Sequence, residues 1–177
     1  MKTNIICDLD GTLADVRHRL HYIKNPDGTL KPYAERDWDR FNFACVDDAP
    51  YEEVIQILLQ LERVDCRCYY RDCGCEWEHN NIYILSGRNE VVRAETTQWL
   101  QKHVDITGGA GGWNPDTHLI MRGNNDRRHD TEVKLEMVQK LGLTPENTLC
   151  VFDDRQSVVD MWRTNGFRCL QVNAWEE

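Results

Sequence analysis

Four short apolar runs, each stopping at a polar residue, set the strongest limit on how this chain can fold. Ile5-Ile6-Cys7 runs into Asp8, Ile82 to Leu85 into Ser86, His118 to Met121 into Arg122, and Leu149 to Phe152 into Asp153. Runs this short and this continuous predict strands buried on both faces. Helical patterns lie between them. Pro50 to Arg63 carries Val54, Ile55, Leu58, Leu59 and Leu61 on one side and follows Asp47-Asp48-Ala49-Pro50, which reads as a helix start. Asn89 to Val104 and Asp130 to Leu141 are amphipathic, the latter stopping at Gly142, and a fourth helix is expected from about Arg155 to Asn165. Strands alternating with helices predict an α/β fold: a parallel, Rossmann-like sheet with helices on both faces, binding its ligand at the carboxyl ends of the strands.

At 177 residues the chain fits one domain, 1–177. Ala14 to Ala49 breaks the alternation. It is polar and aromatic, carries the turn signal Asn25-Pro26-Asp27-Gly28, and is expected to form a small cap or flap with a helical element around Ala34 to Phe43. The apolar stretch before Asp8 is too short for a signal-peptide core, and no run approaches the roughly 20 residues of a membrane span. A cytoplasmic protein without membrane contact is therefore expected. Its net charge of −9 opposes wrapping along nucleic acid but not engagement of one strand end.

Asp8-Leu9-Asp10-Gly11-Thr12 places two carboxylates two residues apart where a strand meets a loop, and Gly11 lets the backbone turn. One carboxylate can serve as nucleophile and metal ligand while the other moves protons. Val151-Phe152-Asp153-Asp154 delivers two more acids from another buried strand. Four converging acids call for a hard, oxygen-preferring cation such as Mg²⁺. Ser86-Gly87-Arg88 offers a hydroxyl, a permissive backbone and a guanidinium for a phosphate, and Lys134 can neutralise charge in phosphoryl transfer. Arg17, His18, Arg19 and His21, together with Arg122, Arg127, Arg128 and His129, either make the site locally basic or form solvated surface. Trp38, Phe41 and Phe43 could pack the flap down or stack on a base.

Taken in order, Asp8-Leu9-Asp10-Gly11-Thr12, Ser86, Lys134 and Asp153-Asp154 resemble the four motifs of the haloacid dehalogenase-like phosphatases. That resemblance implies Asp8 as nucleophile and Asp10 as general acid and base. It implies Ser86 and Lys134 on the transferring phosphoryl group, and Mg²⁺ on Asp8, Asp153, Asp154 and the Asp10 carbonyl. A narrower resemblance, to the 3′-phosphatase domain family of bacteriophage polynucleotide kinase-phosphatase, rests on Asp153 to Arg163, Ser86-Gly87-Arg88, Asp130 four residues before Lys134, and Arg19 eleven after Asp8. It implies substrate contacts from Leu9, Arg19, Ser86, Gly87, Arg88 and Asp130, and a phage-like source. The implied substrate is a 3′-phosphorylated DNA or RNA end, with a free nucleotide or other small phosphate monoester as the alternative. Val158, Val159 and Trp162 read as core. No Gly-x-x-x-x-Gly-Lys-Ser/Thr loop for 5′-kinase chemistry occurs in this sequence.

One segment departs from that family pattern. Cys66, Cys68, Cys73 and Cys75, with His79 nearby, form an insert over about 64–80 that could hold structural Zn²⁺ as a Cys₄ or Cys₃His site, or remain a thiol-bearing loop. Cys7, Cys150 and Cys169 read as buried thiols, and Cys45 gives no indication either way. The run Thr107 to Gly112 reads as a connection.

Overall fold

The computed structural model describes residues 3–64, 78–106 and 113–175. Cys66, Cys68, Cys73 and Cys75, and the glycine-rich run, lie outside the described residues. Five parallel strands form the main sheet: β1 (Asn4–Cys7), β2 (Asn81–Asn89), β3 (Leu119–Arg122), β4 (Thr148–Arg155) and β5 (Cys169–Trp175). Their order is β3-β2-β1-β4-β5, so the chain moves outward from β1 in both directions and leaves a crevice at the carboxyl ends of β1 and β4.

The helices are α1 (Trp38–Phe43), α2 (Glu52–Glu62), α3 (Arg93–His103), α4 (Pro115–His118), α5 (Asp130–Leu141) and α6 (Gln156–Thr164). Side chains of successive strand residues alternate between two cores, one on each face. Ile5 and Cys7 pack with Ile55 and Leu58 of α2 and with Trp99 and Leu100 of α3. Ile6 packs with Val133, Met137 and Val138 of α5 and with Val158, Val159 and Trp162 of α6. Covering both faces is what makes continuous apolar strands stable in water. α5 stops where expected, because Gly142 takes the left-handed conformation at φ 65°. No described helix is long and apolar enough to cross a membrane.

Three local expectations give way. First, β2 and β4 run past their apolar stretches to Asn89 and Arg155, with register shifts after Ser86 and after Asp153. Such irregularities re-aim side chains at strand ends. Second, His118 closes the short helix α4, which Asn114 caps by accepting from the Asp116 N–H with Pro115 in the first turn. Third, Asp47-Asp48-Ala49-Pro50 does not start a helix. Ala49–Pro50 pairs antiparallel with Ala14–Asp15, and α2 begins at Glu52 with the Tyr51 carbonyl accepting from the N–H groups of Val54 and Ile55.

That ladder is the stem of the 14–49 excursion. Inside it lie 3-10 helices at Arg17–Tyr22, Tyr33–Glu35 and Ala44–Asp47, the turn closed by Gly28 N–H to the Asn25 carbonyl, and α1. The single helix expected around Ala34 to Phe43 is broken at Asp37, whose carboxylate caps α1 through the Arg40 N–H.

Candidate active site

The end of β1 delivers Asp8, whose N–H donates to the Phe152 carbonyl at 2.9 Å and so fixes it beside β4. β4 delivers Asp153 and Asp154. One carboxylate oxygen from each of the three lies within 4.8 Å of the others, and all three residues are buried. Lys134, buried on α5, donates to Asp8 Oδ1 and Asp153 Oδ2, both at 2.7 Å. Thr12 donates to Asp8 Oδ2 at 3.2 Å, and Trp162 Nε1 donates to Asp153 Oδ2 at 3.1 Å.

Three buried acids facing one ammonium leave excess negative charge. Burial, only partly offset by Lys134, raises the Asp8 carboxyl to about 7, with Asp153 adding to the rise. Burial and repulsion from Asp8 and Asp153 raise Asp154 to about 8. Burial opposes the Lys134 charge, but Asp153 and Asp8 outweigh it and hold the ammonium protonated. A compact set of hard oxygen donors with unbalanced charge fits a divalent cation such as Mg²⁺.

The fourth acid turns elsewhere. The carboxylate of Asp10 is not part of the converging cluster, leaving only its main-chain carbonyl for the metal role that the resemblance implied. Asp10 Oδ1 accepts from Arg19 Nη2 at 2.8 Å and from Arg88 Nε at 2.7 Å. Burial pushes this carboxyl up, but Arg19 and Arg88 outweigh it and bring it to about 2. Both guanidinium side chains are buried, and both also bind Asp48. Arg19 Nε and Nη2 reach Asp48 Oδ1 and Oδ2 at 2.8 Å, Arg88 Nη2 meets Oδ2, and His18 Nε2 lies 2.8 Å from Oδ1. Trp99 Nε1 donates to the Asp48 carbonyl at 2.8 Å.

Asp48 is therefore the site residue that sequence reasoning missed, having been read as part of a helix start. The signal against that reading was weak: a second Asp two residues before a proline. Trp162 was read as core, and it is; its indole N–H also orients Asp153.

A third cluster forms around Asp130, at the first turn of α5. Its two oxygens accept from Arg122 Nη2 and Arg155 Nη1. Gly87 lies so close that a Cβ there would stand 3.2 Å from Asp130 Oδ1. Ser86 is buried, and its Oγ accepts from the Arg88 N–H at 3.1 Å. The Leu9 side chain is in the core, so only its main chain could reach a ligand. Of the two basic runs singled out in the sequence, His18, Arg19 and Arg122 enter these clusters. Arg17 and Arg128 pair with Asp15 and Asp126 at the surface.

A family model described as the polynucleotide kinase PNKP phosphatase domain matches residues 22–176. The match begins after Asp8, Asp10 and Arg19. A curated relative, the putative bifunctional polynucleotide kinase/RNA ligase of Autographa californica nuclear polyhedrosis virus, is 28% identical over 160 residues, covering 90% of this chain and 17% of that protein. A chain in the structure of the Pnkp1/Rnl/Hen1 RNA repair complex is 26% identical with a TM-score of 0.67, over 98% of this chain and 43% of that one. The hydrolase SP0104 of Streptococcus pneumoniae, haloacid dehalogenase-like, shares the fold at 15% identity with a TM-score of 0.53, over 96% and 84% of the two chains. The chain thus spans less than half the length of the viral relative and of the repair-complex chain.

Proposed function

Because the chain belongs to the family of the polynucleotide kinase PNKP phosphatase domain, and so is a hydrolase of phosphate esters, we propose that it removes a 3′-phosphate from DNA or RNA ends. The observation that carries this reading is the triad of buried carboxylates at the carboxyl ends of β1 and β4, two of them, Asp8 and Asp153, paired with Lys134. The chain of similar fold comes from the Pnkp1/Rnl/Hen1 RNA repair complex, which supports a strand end as the substrate.

In this scheme Asp8 attacks the phosphorus in line and becomes an aspartyl-phosphate while the 3′ oxygen leaves. Lys134 and Ser86 hold the transferring oxygens where charge develops. Mg²⁺ bound by Asp8, Asp153 and Asp154 would supply the positive charge that the site lacks. Asp10 protonates the leaving oxygen, then takes a proton from the water that cleaves the aspartyl-phosphate. With Arg19 and Arg88 both on it, Asp10 is ionised, which suits the second half-reaction. A phosphate dianion beside it competes for the same guanidiniums and returns it toward the protonated form that the first half-reaction needs. The 14–49 excursion acts as a small cap, supplying Arg19 and Asp48 from its two limbs.

Rapid acid quenching with a phosphate-labelled substrate tests the scheme. We expect protein-bound phosphate that hydroxylamine releases, absent in Asp8→Asn; turnover by that variant would overturn it.

The net charge of −9 favours the second reading, a phosphatase for free nucleotides or other small monoesters. Zinc on Cys66, Cys68, Cys73 and Cys75, or on three of them with His79, is also proposed. His79 Nδ1 is buried without a hydrogen-bond partner among the described residues, as an unfilled ligand atom would be. Protein purified without chelator should carry close to one zinc per chain, and none would end that reading.

A further inference from the structure

Several arginines at the surface of this acidic protein are matched to a carboxylate: Arg17 to Asp15, Arg40 to Asp37, Arg93 to Glu90 and Arg128 to Asp126. Lys31, Arg36 and Arg127 depart from that pattern. Among the described residues none of the three has a carboxylate partner; Arg36 and Arg127 gather at Tyr33, and Lys31, whose ammonium donates to the His21 carbonyl at 2.7 Å, adjoins them through its main chain. The Arg36 guanidinium lies 5.7 Å and that of Arg127 5.9 Å from the ring centre of Tyr33, while Arg36 Nε donates to the Lys31 carbonyl at 2.7 Å. Tyr33 itself is 58% exposed. A large aromatic ring left in water, with two guanidiniums within about 6 Å of its centre, carries an excess of positive charge beside it.

The patch is tied to the site from two directions. The Asp37 N–H donates to the Tyr22 carbonyl, joining this part of the excursion to the 3-10 helix that carries Arg19. Arg127 belongs to the loop between β3 and α5, which Arg122 draws in by donating to the Arg128 carbonyl at 2.7 Å while also binding Asp130. A ligand over Tyr33 would therefore lie beside the carboxyl edge of the sheet.

We propose that Tyr33, Lys31, Arg36 and Arg127 form a subsite for the nucleotides adjoining a strand end, with the ring stacking on a base and the cations meeting phosphodiesters. Base stacking needs an exposed π-face and tolerates any sequence, and single strands pair such platforms with a basic track. The chemistry distinguishes a strand from a mononucleotide, which has no neighbouring base or diester to offer. The inference rests on the strand-end reading, yet the two can fail separately.

The test is fluorescence anisotropy of an end-labelled single-stranded oligonucleotide, titrated with the full chain across a salt series. We expect Tyr33→Ala to weaken binding about 10-fold, within the range for one lost base stack. The Arg36→Ala/Arg127→Ala double variant should flatten the logarithmic salt dependence by about 0.7 per cation removed. All three side chains are at or near the surface, so these variants should fold. Unchanged affinity in Tyr33→Ala with an unchanged salt slope in the double variant, or a wild-type chain that binds no strand, would overturn the proposal. Release of phosphate from a 3′-phosphorylated strand by the same wild-type protein tests the functional reading separately. Strand binding without turnover would sink that reading and leave the subsite standing, whereas turnover with no effect of the variants would do the reverse.

Discussion

Asp48 shows how much of this site depends on one side chain. Two guanidiniums are buried here, and without Asp48 they would share a single carboxylate, Asp10. Removing one partner from a buried ionic network typically costs about 3–5 kcal/mol, because the remaining charge is stranded. We expect Asp48→Asn to lower stability by about 3 kcal/mol in denaturant titration. It should also reduce kcat/KM on the order of 100-fold, since Arg19 and Arg88 lose their fixed positions against Asp10. Activity close to wild type would show that the arginines need no such anchor. Asp130 gives a different signature. Burial raises its carboxyl, but Arg155, Lys134 and Arg122 outweigh that and hold it below its ordinary value. A lowered folded-state value contributes stability that is present above about pH 4 and lost as pH falls through the lowered value. The stability gap between wild type and Asp130→Asn should therefore close below about pH 4; a gap independent of pH would contradict the ion-pair origin.

Among the elements, the strand ends matter more than the strands. The sheet was legible because buried parallel strands read as continuous apolar runs, and α5 because its pattern ends at a glycine. The register shifts after Ser86 and Asp153 had no such mark, since polar residues there are equally consistent with the strand having stopped. The four motif acids were found from Asp-x-Asp and Asp-Asp at strand ends. The destination of the Asp10 carboxylate was not, because it depends on Arg19, Asp48 and Arg88 arriving from three separate segments. Gly87 shows how tightly β2 meets the start of α5. An added methyl would press on Asp130 Oδ1, which cannot yield easily because Arg122 and Arg155 grip it from two sides. We expect Gly87→Ala to cost about 1–3 kcal/mol as an overpacking change and to lower kcat/KM more than an equally destabilising core change such as Ile55→Val. Equal activity losses at matched stability would mean that this contact does not position the site.

On the scale of the whole molecule, strand order and chemistry coincide. The crevice where the chain turns outward in both directions from β1 is where Asp8, Asp153, Asp154 and Lys134 meet, while the excursion brings Arg19 and Asp48 to the same edge. Net charge favours the small-monoester alternative, but a sum over the chain hides that several surface cations are already neutralised and that Arg36 and Arg127 lie together at Tyr33. The proposed action of this chain on the phosphate at a strand end is tested by steady-state phosphate release with Mg²⁺ from a 3′-phosphorylated oligonucleotide and from the matching 3′-mononucleotide, with Asp8→Asn as the blank. A higher specificity constant for the oligonucleotide and none for the variant is the predicted result; a mononucleotide turned over equally well or better would contradict it.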